Sequence, residues 1–547
     1  MIAATVILLA LNLYATKAWL VLGSPMLFAL AVLVELVLLG IFLYSVIRSL
    51  TTPGNIVKSL VLSAWSGLST NDYVKQFRKS KSPLLIWARR RLKRDSPYGF
   101  SLTLTFLVVA ILLFNFLGVL LAVVSKGALT QIDTRVLNLI PSIRTPLQTS
   151  FFRIVTTLAN TQTTLSLLIP VAIILWRKNH HLLALLGFVV TAGEETVTFI
   201  IKHLVHRLRP ELSLRLIKED SYSFPSGHVV RATVLFGLLA YLFYRAYSSV
   251  RSRIITIGVY VLTVFLIAIS RVYLGVHYPT DVWASVLLGG AMLAMIIGLV
   301  GIISRRKKVA DKKLELSRKS ALLTFGLLAV FTLIASPYLV PIHQIINTPA
   351  NITLQKIDKN TIQKLPLYSE TLTGSRMEPI NFIYVGSENQ LVSIFTSHRW
   401  YRADKSTVSN TIRALAVGFQ GKQYLNAPVT PSYLNYKPEN IAFQQSTASH
   451  SLRQRHHTRL WLTDYTLPDG RPIWVGTASF DEGIEFVGAA KLPTHHIDPN
   501  IDRERSFIIE SLGLQNNLVT VVQPQLGKNA SGDSFFTDGK AELAFLK

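Results

Sequence analysis

Residues 254–303 read IITIGVYVLTVFLIAIS, then RVYLGVHYPT, then DVWASVLLGGAMLAMIIGLVGII. The outer two parts are apolar runs of ~17–25 residues, which is enough for each to cross the hydrocarbon core of a membrane as a helix. The middle part and its borders carry Arg271, His277 and Asp281. Charged side chains are expensive inside hydrocarbon. The stretch therefore predicts two membrane helices joined by a polar turn at one face of the membrane.

Runs of the same kind occur along most of the first 340 residues and predict about nine membrane spans. They lie near 2–22, 26–47, 101–125, 152–176, 182–203, 229–246, 254–271, 281–303 and 320–340. Half of the 547 residues are hydrophobic and only 16% are charged, which excludes a wholly soluble protein. The first run has no basic residue before it and no clear cleavage site, so we expect a retained hairpin rather than a cleaved signal peptide.

Basic residues indicate the orientation of these spans. The net charge of +26 would suggest nucleic acid as a partner of a soluble protein, but here much of it lies in short loops between apolar runs. Such loops are usually cytoplasmic. The basic segments are 75–94, 177–178, 245–253 and 305–319. The segments then expected outside the cytoplasm are 126–151, 203–228, 271–281 and the tail after 340. We expect contact with membrane lipids and none with nucleic acid, while protein partners stay undetermined.

The tail after about 345 is less apolar and shows strand-like alternation at 380–386, 457–465 and 471–479. The last two runs flank Pro468-Asp469-Gly470, a strong hairpin signal. Helices are predicted at 403–418 and 498–512, the second with Asp498 as N-cap, Pro499 at its first position and Gly513 past its end. A soluble α+β domain follows from this pattern.

The predicted architecture is thus an α-helical transmembrane bundle followed by a soluble α+β C-terminal domain. The bundle combines a core of about six spans with about three extra spans. Its expected parts are an N-terminal hairpin (1–50), a basic segment (51–99), the core (100–303), a basic loop with a final span (304–344) and the C-terminal domain (345–547). The basic segment fits an amphipathic element on the cytoplasmic leaflet and a solvated loop equally well. The chain has no cysteine, which excludes disulfides, thiolate metal ligands and a thiol nucleophile.

Cations gather at the ends of the predicted spans. Lys202 and Arg209 are seven residues apart, which in a helix places them on one face, although Pro210 disfavours helix at Arg209. Together they could bind the oxygens of a phosphate. Alone, such a pair is more often an interfacial anchor.

A second segment, Pro225-Ser226-Gly227-His228, directly precedes an apolar run. A helix start offers free N–H groups to an anion, glycine permits close approach of the backbone, and Ser226 can add a hydroxyl donor. His228 would then face a bound phosphate. By itself the segment is more typical of a capped helix with an interfacial histidine.

The third segment is the polar turn of the opening stretch. Asp281, near a helix start, can accept a hydrogen bond from one ring N–H of His277, which leaves the other nitrogen free as a nucleophile. Arg271 adds a further cation for phosphate.

In order, the three segments closely resemble the signature of the type 2 phosphatidic acid phosphatase family, and the resemblance covers roughly 100–303. It implies that His277 forms a phosphohistidine, that Asp281 orients it and that His228 protonates the leaving oxygen. It also implies that the phosphoryl group is held by Lys202, Arg209, Ser226, Gly227 and Arg271. The implied reaction is metal-independent hydrolysis of a lipid phosphate or lipid diphosphate, undecaprenyl diphosphate among them. No cofactor is implied, and the expected location is a bacterial inner membrane with the site outside the cytoplasm.

Two alternatives stay open at this stage. The same scaffold could pass phosphate from His277 to an acceptor other than water, or it could bind or transport a lipid without catalysis. The intact set of catalytic positions argues against the non-catalytic alternative. Glu194 and Glu195 lie inside a predicted span, where they are expected to pair internally rather than handle substrate.

The tail resembles the C-terminal domain of LssY-type proteins, through Arg455-His456-His457-Thr458-Arg459-Leu460-Trp461, Trp474-Val475-Gly476 and the stretch His495-His496-Ile497-Asp498. That resemblance implies association with phosphatase cores but no established chemistry. The residues His456, His495, His496, Asp498, Asp502 and Glu504 could form a metal or second phosphate site, although Asp498 also serves as the expected helix cap.

Overall fold

The computed structural model describes residues 99–306 apart from 248, residues 352–546 apart from 421, 448–453, 488–491 and 530–532, and scattered residues at 59–91 and 326–342. The predicted hairpin at 1–50 and most of the basic segments 51–99 and 304–329 lie outside these residues. The described chain divides into two compact units. One contains the described residues up to 130 and 144–342, and the other contains 131–143 and 352–546.

Helices dominate the first part of the chain. They are α1 (Phe100–Val124), α2 (Ala128–Ile143), α3 (Pro146–Thr157), α4 (Thr161–Arg177), α5 (His181–Val205), α6 (Gly227–Ala246), α7 (Val250–Tyr273) and α8 (Pro279–Arg306). Of the described helices, α1, α5, α6, α7 and α8 are long and apolar enough to cross a membrane, and the pair α3 and α4 makes a sixth if counted as one span. A short apolar helix at Val330–Leu339 falls in the last predicted span. The predicted helical membrane bundle is confirmed.

The predicted single span at 152–176 is a bent pair. α3 and α4 meet at an angle of 48°. Asn160 has an extended backbone with ψ of 149° at the N-cap of α4, so the helix cannot run through it. The break itself is polar, with Thr156, Thr157, Asn160, Thr161 and Gln162, but the apolar residues farther along both helices keep the average hydropathy of the pair in the range of one membrane span.

Residues 126–151 were expected to be an outer segment of the core at 100–303, yet they contain helix α2, whose residues 131–143 cluster with the C-terminal domain. Arg135 is buried there, and its Nη2 donates to Glu370 Oε2 at 2.6 Å. Its guanidinium also lies 4.5 Å from the centre of the Tyr436 ring. A cation that is both paired and stacked in this way accounts for the attachment of α2 to that domain.

The interior of the bundle is built where α1, α6 and α8 pack together. Phe116, Phe224, Val230 and Leu288 are buried in one apolar cluster there. The helices approach so closely that a Cβ at Gly289 would lie 2.8 Å from Cβ of Thr233. This packing fixes the first turns of α6 and α8 next to each other.

The C-terminal domain is α+β, as predicted. Its strands are β1 (Ile352–Thr353), β2 (Tyr368–Glu370), β3 (Arg376–Pro379), β4 (Phe382–Val385), β5 (Tyr401–Arg402), β6 (Tyr433–Leu434), β7 (Lys437–Pro438), β8 (Ile441–Ser446), β9 (Arg455–Thr466), β10 (Pro472–Val487), β11 (Leu492–Ile497), β12 (Leu518–Thr520), β13 (Gln525–Lys528), β14 (Ser534–Thr537) and β15 (Lys540–Phe545). Its helices are α9 (Lys359–Ile362), α10 (Glu388–Ser397), α11 (Val408–Phe419) and α12 (Ile501–Ser511).

The described strands form one large sheet and two small ones. The large sheet has the order β12-β15-β4-β10-β9-β8-β5, with β1 beside β9 and β11 beside β10. The hairpin predicted at Pro468-Asp469-Gly470 joins β9 to β10, and Gly470 has a φ of +83°. Alternate residues of β4 enter different cores: Phe382 and Tyr384 face one apolar cluster, and Ile383 and Val385 face the other.

The last predicted helix was placed too early. α12 begins at Ile501, and its N-cap is Asn500, whose Oδ1 accepts from the Arg503 N–H at 3.2 Å. Asp498 instead accepts from the Asn500 N–H at 2.8 Å. Both residue types suit an N-cap, so the sequence contained two candidates only two positions apart. Gly513 follows the helix with a φ of +62°, as predicted.

Candidate active site

Lys202 and Arg209 reach the same serine, although they do not share a helix. α5 ends at Val205 and His206 adopts a left-handed φ of 52°, so the predicted common helical face was wrong. Lys202 Nζ nevertheless donates to Ser221 Oγ at 2.8 Å, and Arg209 Nη2 donates to the same oxygen at 3.0 Å. The loop fold, rather than helical periodicity, brings the two cations together.

Arg209 is held by backbone oxygens against His277. Its Nε donates to Ser221 O at 2.5 Å and its Nη1 to Val276 O at 2.8 Å. Nη1 also lies 3.2 Å from His277 Nε2. Because a guanidinium can only donate, this contact requires that Nε2 present its lone pair.

His277 and Asp281 face each other as predicted, with 3.4 Å between Nδ1 and Oδ2. The aspartate is held by Arg207 Nη1 at 2.5 Å, by Ser223 Oγ at 2.6 Å and by the backbone N–H of Tyr278 at 2.9 Å. The contact to Nδ1 is longer than an ordinary hydrogen bond, so the carboxylate interacts with the ring chiefly through its charge.

Ser226 is the N-cap of α6. Its backbone N–H donates to Ser285 Oγ at 2.7 Å, and that hydroxyl donates to Asp281 O at 2.6 Å, which ties the start of α6 to the start of α8. Ser226 Oγ is buried and has no hydrogen-bond partner among the described residues. A hydroxyl without a protein partner is what the predicted phosphate-binding role of Ser226 requires.

Gly227 and His228 form the first turn of α6. A Cβ at Gly227 would meet Thr198 Cγ2 at 3.6 Å, an ordinary contact, so packing within the described protein does not itself require glycine. His228 Nε2 lies 2.7 Å from Asn160 Oδ1, at the break between α3 and α4. The bent pair thus forms another wall of the site.

The third cation, Arg271, binds a carboxylate that the sequence motifs did not include. Its Nη2 donates to Glu219 Oε1, and its Nη1 donates to Thr156 Oγ1 at 2.9 Å. The other oxygen of Glu219 lies 3.4 Å from Arg209 Nη2. One carboxylate thus bridges two guanidinium groups through separate oxygens, an arrangement that two oxygens of a phosphate can reproduce.

The positive field of the site acts on the groups in its loops. Burial lowers the pKa of His277 well below its usual value, and the charges of Arg209 and Arg271 lower it further. Burial alone would raise the pKa of Glu219, but the neighbouring cations outweigh it and lower the pKa to about 2. At neutral pH the site therefore combines a neutral His277 with an ionised Glu219.

The internal pairing predicted for Glu194 and Glu195 is confirmed, and their partner is Arg231. Arg231 Nε donates to Glu194 Oε1 at 3.0 Å, and its Nη2 pairs with Glu195. Glu194 is only 1% exposed.

The polar residues singled out in the C-terminal domain bind to separate partners. They pair as His456 with Glu504 at 2.8 Å, His496 with Asp533 at 2.8 Å, and Asp502 with the Asp538 N–H at 2.6 Å. Across the described part of the chain, no group of three or more histidines and acidic residues could hold a metal ion, and the side chain of His495 lies outside that part. For the described side chains, the suggested shared metal site was wrong.

Sequence reasoning missed Arg207, Glu219, Ser221 and Asn160. Arg207 lies two residues before Arg209, and Asn160 lies in a threonine-rich stretch at 156–164 that interrupts a predicted span, so both offered a weak signal. Glu219 and Ser221 lie in a loop without periodicity, where only the folded structure shows what they contact.

Comparison with known proteins identifies two families along the chain. Residues 181–305 match the PAP2 superfamily, and residues 362–541 match the LssY C-terminus. The chain is 30% identical over 193 residues to phosphatidylglycerophosphatase B of Bacillus subtilis, which covers 34% of this chain and 89% of that protein. The chain belongs to the PAP2 superfamily. Like its PAP2 relatives it is a phosphatase. Its apolar helices and its bacterial relatives together make it a bacterial integral membrane protein.

One further relative and one solved structure also match this chain. It is 30% identical over 115 residues to decaprenylphosphoryl-5-phosphoribose phosphatase of Mycobacterium tuberculosis, covering 20% of this chain and 58% of that protein. A crystal structure of a transmembrane PAP2 type phosphatidylglycerolphosphate phosphatase from Bacillus subtilis matches at 24% identity and a TM-score of 0.32, covering 37% of this chain and 98% of that one.

The bridging position of Glu219 predicts that a free phosphate must compete with it. Glu219→Gln removes the internal anion, so inorganic phosphate should inhibit hydrolysis of p-nitrophenyl phosphate more strongly, with an inhibition constant roughly tenfold lower. Glu211→Gln, in the same loop and exposed, is the matched control and should leave the constant unchanged. An unchanged or higher constant in Glu219→Gln would show that the carboxylate and phosphate do not share these arginines.

Proposed function

We propose that this protein hydrolyses a lipid phosphate or lipid diphosphate through a covalent phosphohistidine at His277. The observation that carries the proposal is the convergence of Lys202, Arg209 and Arg271 on one small polar pocket that also holds His277 and the bridging carboxylate of Glu219. A pocket of this kind is suited to a dianion next to a nucleophile.

A lipid substrate is supported by the surroundings of the pocket. It lies at the ends of helices apolar enough to cross a membrane. Leu204, Leu208 and Leu212, which flank the cations along the chain, are each more than 70% exposed. Large exposed apolar side chains next to a phosphate site suit a substrate whose phosphate is attached to a hydrocarbon chain. The names of the two relatives also refer to phosphorylated lipids.

In the proposed ground state, the phosphoryl oxygens replace the Glu219 carboxylate on the two arginines. Lys202 and the free hydroxyl of Ser226 supply further donors, and Gly227 lets the phosphate approach the start of α6. These groups supply the positioning and charge neutralisation that phosphoryl transfer requires. No divalent ion is needed for that purpose, and we therefore include metal independence in the proposal.

In the first step, the Nε2 lone pair of His277 attacks phosphorus and the bond from phosphorus to the lipid oxygen breaks. His228 gives its proton to that oxygen, and the lipid alcohol, or lipid monophosphate in the case of a diphosphate, leaves. Asp281 stabilises the charge that develops on the imidazole ring of His277. The negative charge of Asp281 lies against Nδ1, the side of the ring opposite the attacking nitrogen.

In the second step, water attacks the phosphohistidine. The now neutral His228 accepts a proton from that water, and the bond between phosphorus and Nε2 breaks. Phosphate leaves and both histidines return to their starting states, so that the same residue serves as acid and then as base. An alcohol in place of water would give the phosphotransferase alternative.

The domain boundaries and the orientation belong to the same proposal. We assign the catalytic core to 100–303 and the LssY-type domain to 345–547, both with their polar parts outside the cytoplasm of an inner membrane. The distribution of lysine and arginine supports this orientation.

The two histidines should separate kinetically. His277→Ala should abolish turnover of every substrate in a panel of lipid phosphates, because it removes the nucleophile. His228→Ala should slow a lipid phosphate by roughly 10²–10⁴-fold but p-nitrophenyl phosphate much less, because a good leaving group needs little protonation. Asp281→Asn should lower the turnover of both the lipid phosphate and p-nitrophenyl phosphate to an intermediate degree. Wild-type turnover in EDTA should equal that with magnesium.

Persistent turnover in His277→Ala would refute the proposed nucleophile. Loss of activity in EDTA that a divalent ion restores would refute the metal-free mechanism.

The orientation can be tested because the chain contains no cysteine. Lys218→Cys and Lys422→Cys place single thiols at exposed positions in the site loop and the C-terminal domain. In intact spheroplasts an impermeant thiol reagent should label both, and should label Ala310→Cys only after permeabilisation. Labelling of position 310 but not of 218 or 422 would reverse the proposed orientation.

A further inference from the structure

Asn160 occupies a helix N-cap but does not cap the helix. Asparagine is a strong N-cap residue because its side-chain oxygen can accept from the N–H groups of the first turn. At the start of α4, the Asn160 side chain makes no such bond. Its Oδ1 lies instead 2.7 Å from Nε2 of His228. The residue forgoes a local stabilising contact and binds the histidine.

Arg231, one turn along α6 from His228, also binds the break between α3 and α4. Its Nη1 donates to the backbone oxygen of Ala159 at 2.7 Å, directly before Asn160 in the chain. Its Nε donates to Glu194 Oε1 at 3.0 Å on α5. Ala159 is fully buried, Glu194 is 1% exposed and Arg231 is 5% exposed. A buried ion pair among membrane helices is expensive unless it is fully engaged, and here it fixes one particular carbonyl.

The contact also determines which nitrogen of His228 can exchange a proton. An amide oxygen can only accept, so Nε2 must carry hydrogen while it contacts Asn160 Oδ1. The proton that moves during catalysis must then be carried by Nδ1. Since α6 carries both His228 and Arg231, the ring and the break that orients it are held by one helix.

We infer that Asn160 is a positioning residue that sets the ring orientation and protonated nitrogen of His228, and that the pair of Arg231 and Glu194 holds Asn160 in place through the carbonyl of Ala159. This inference rests on the proposed role of His228 as general acid. It assigns a catalytic purpose to a buried ion pair that lies outside the three phosphate-binding segments.

The test compares substrates with poor and good leaving groups. Asn160→Ala should lower kcat for a lipid phosphate at least tenfold while kcat for p-nitrophenyl phosphate falls less than threefold, because only the first substrate needs a correctly aimed proton. KM should change little for either. Asn160→Asp keeps an acceptor for Nε2–H. It should restore most of the wild-type ratio of kcat for the lipid phosphate to kcat for p-nitrophenyl phosphate. Arg231→Met should shift the ratio in the same direction but less.

Asn115→Ala is the matched control, since Asn115 is a polar residue on α1 whose Nδ2 donates to Ile111 O within its own helix. It should leave both rates unchanged. Thermal unfolding in detergent checks that the Asn160 variants are folded, and these variants decide the result even if Arg231→Met fails to fold. Equal losses on both substrates, or no loss on either, in folded Asn160→Ala would overturn the inference.

Including His228→Ala distinguishes a failure of the proposed general acid from a failure of the positioning role of Asn160. If His228→Ala itself shows no dependence on the leaving group, the proposed general acid is wrong. If His228→Ala shows that dependence and folded Asn160→Ala does not, only the role of Asn160 is wrong.

Discussion

Mutual repulsion among Lys202, Arg209 and Arg271 is the constraint on which the rest of the site depends. At ~4 Å two like charges repel by roughly 4 kcal/mol at the effective dielectric of a protein surface, and burial makes the repulsion larger. Such a group of cations is stable only with a counter-charge. In the absence of substrate, Glu219 supplies it by bridging two of the guanidinium groups. In the proposed mechanism a phosphate takes over this role, and the energy of neutralising the pocket becomes binding energy for the substrate.

In the proposed mechanism, the same field keeps the nucleophilic histidine neutral. Burial and the neighbouring cations lower the pKa of His277, which keeps the ring neutral, and the contact with Arg209 requires a lone pair on Nε2. Asp281 balances the field on the opposite side of the ring, where three donors hold its carboxylate. The close packing of α6 against α8 fixes both helix starts, so that the proposed acid, His228, lies in the first turn of one helix and the proposed nucleophile, His277, lies two residues before the other.

The motif residues could be predicted from the sequence because their chemistry depends on short spacings at the ends of apolar runs. Lys202 and Arg271 lie at the ends of such runs, and His277 lies in the short turn between two of them. The bend at Asn160 was not predicted, because the apolar residues farther out keep the average hydropathy of 152–176 high enough for a single span. Glu219 could not be predicted either, since its role depends on a loop that folds back on two arginines distant in the chain. In the C-terminal domain, the hairpin was signalled by its turn residues, whereas the choice between Asp498 and Asn500 as helix cap depended on tertiary packing.

The most direct test of the central claim is to locate the covalent phosphate. The purified protein is mixed with a lipid phosphate carrying ³²P and quenched in base within the first turnovers, because phosphohistidine is labile to acid. Mass spectrometry of the proteolytic fragments, with Asp281→Asn as a variant in which turnover is slowed, then identifies the modified atom. The account predicts phosphate on Nε2 of His277 and none on His228. Phosphate on His228, or product release without any phosphohistidine at substoichiometric turnover, would contradict it.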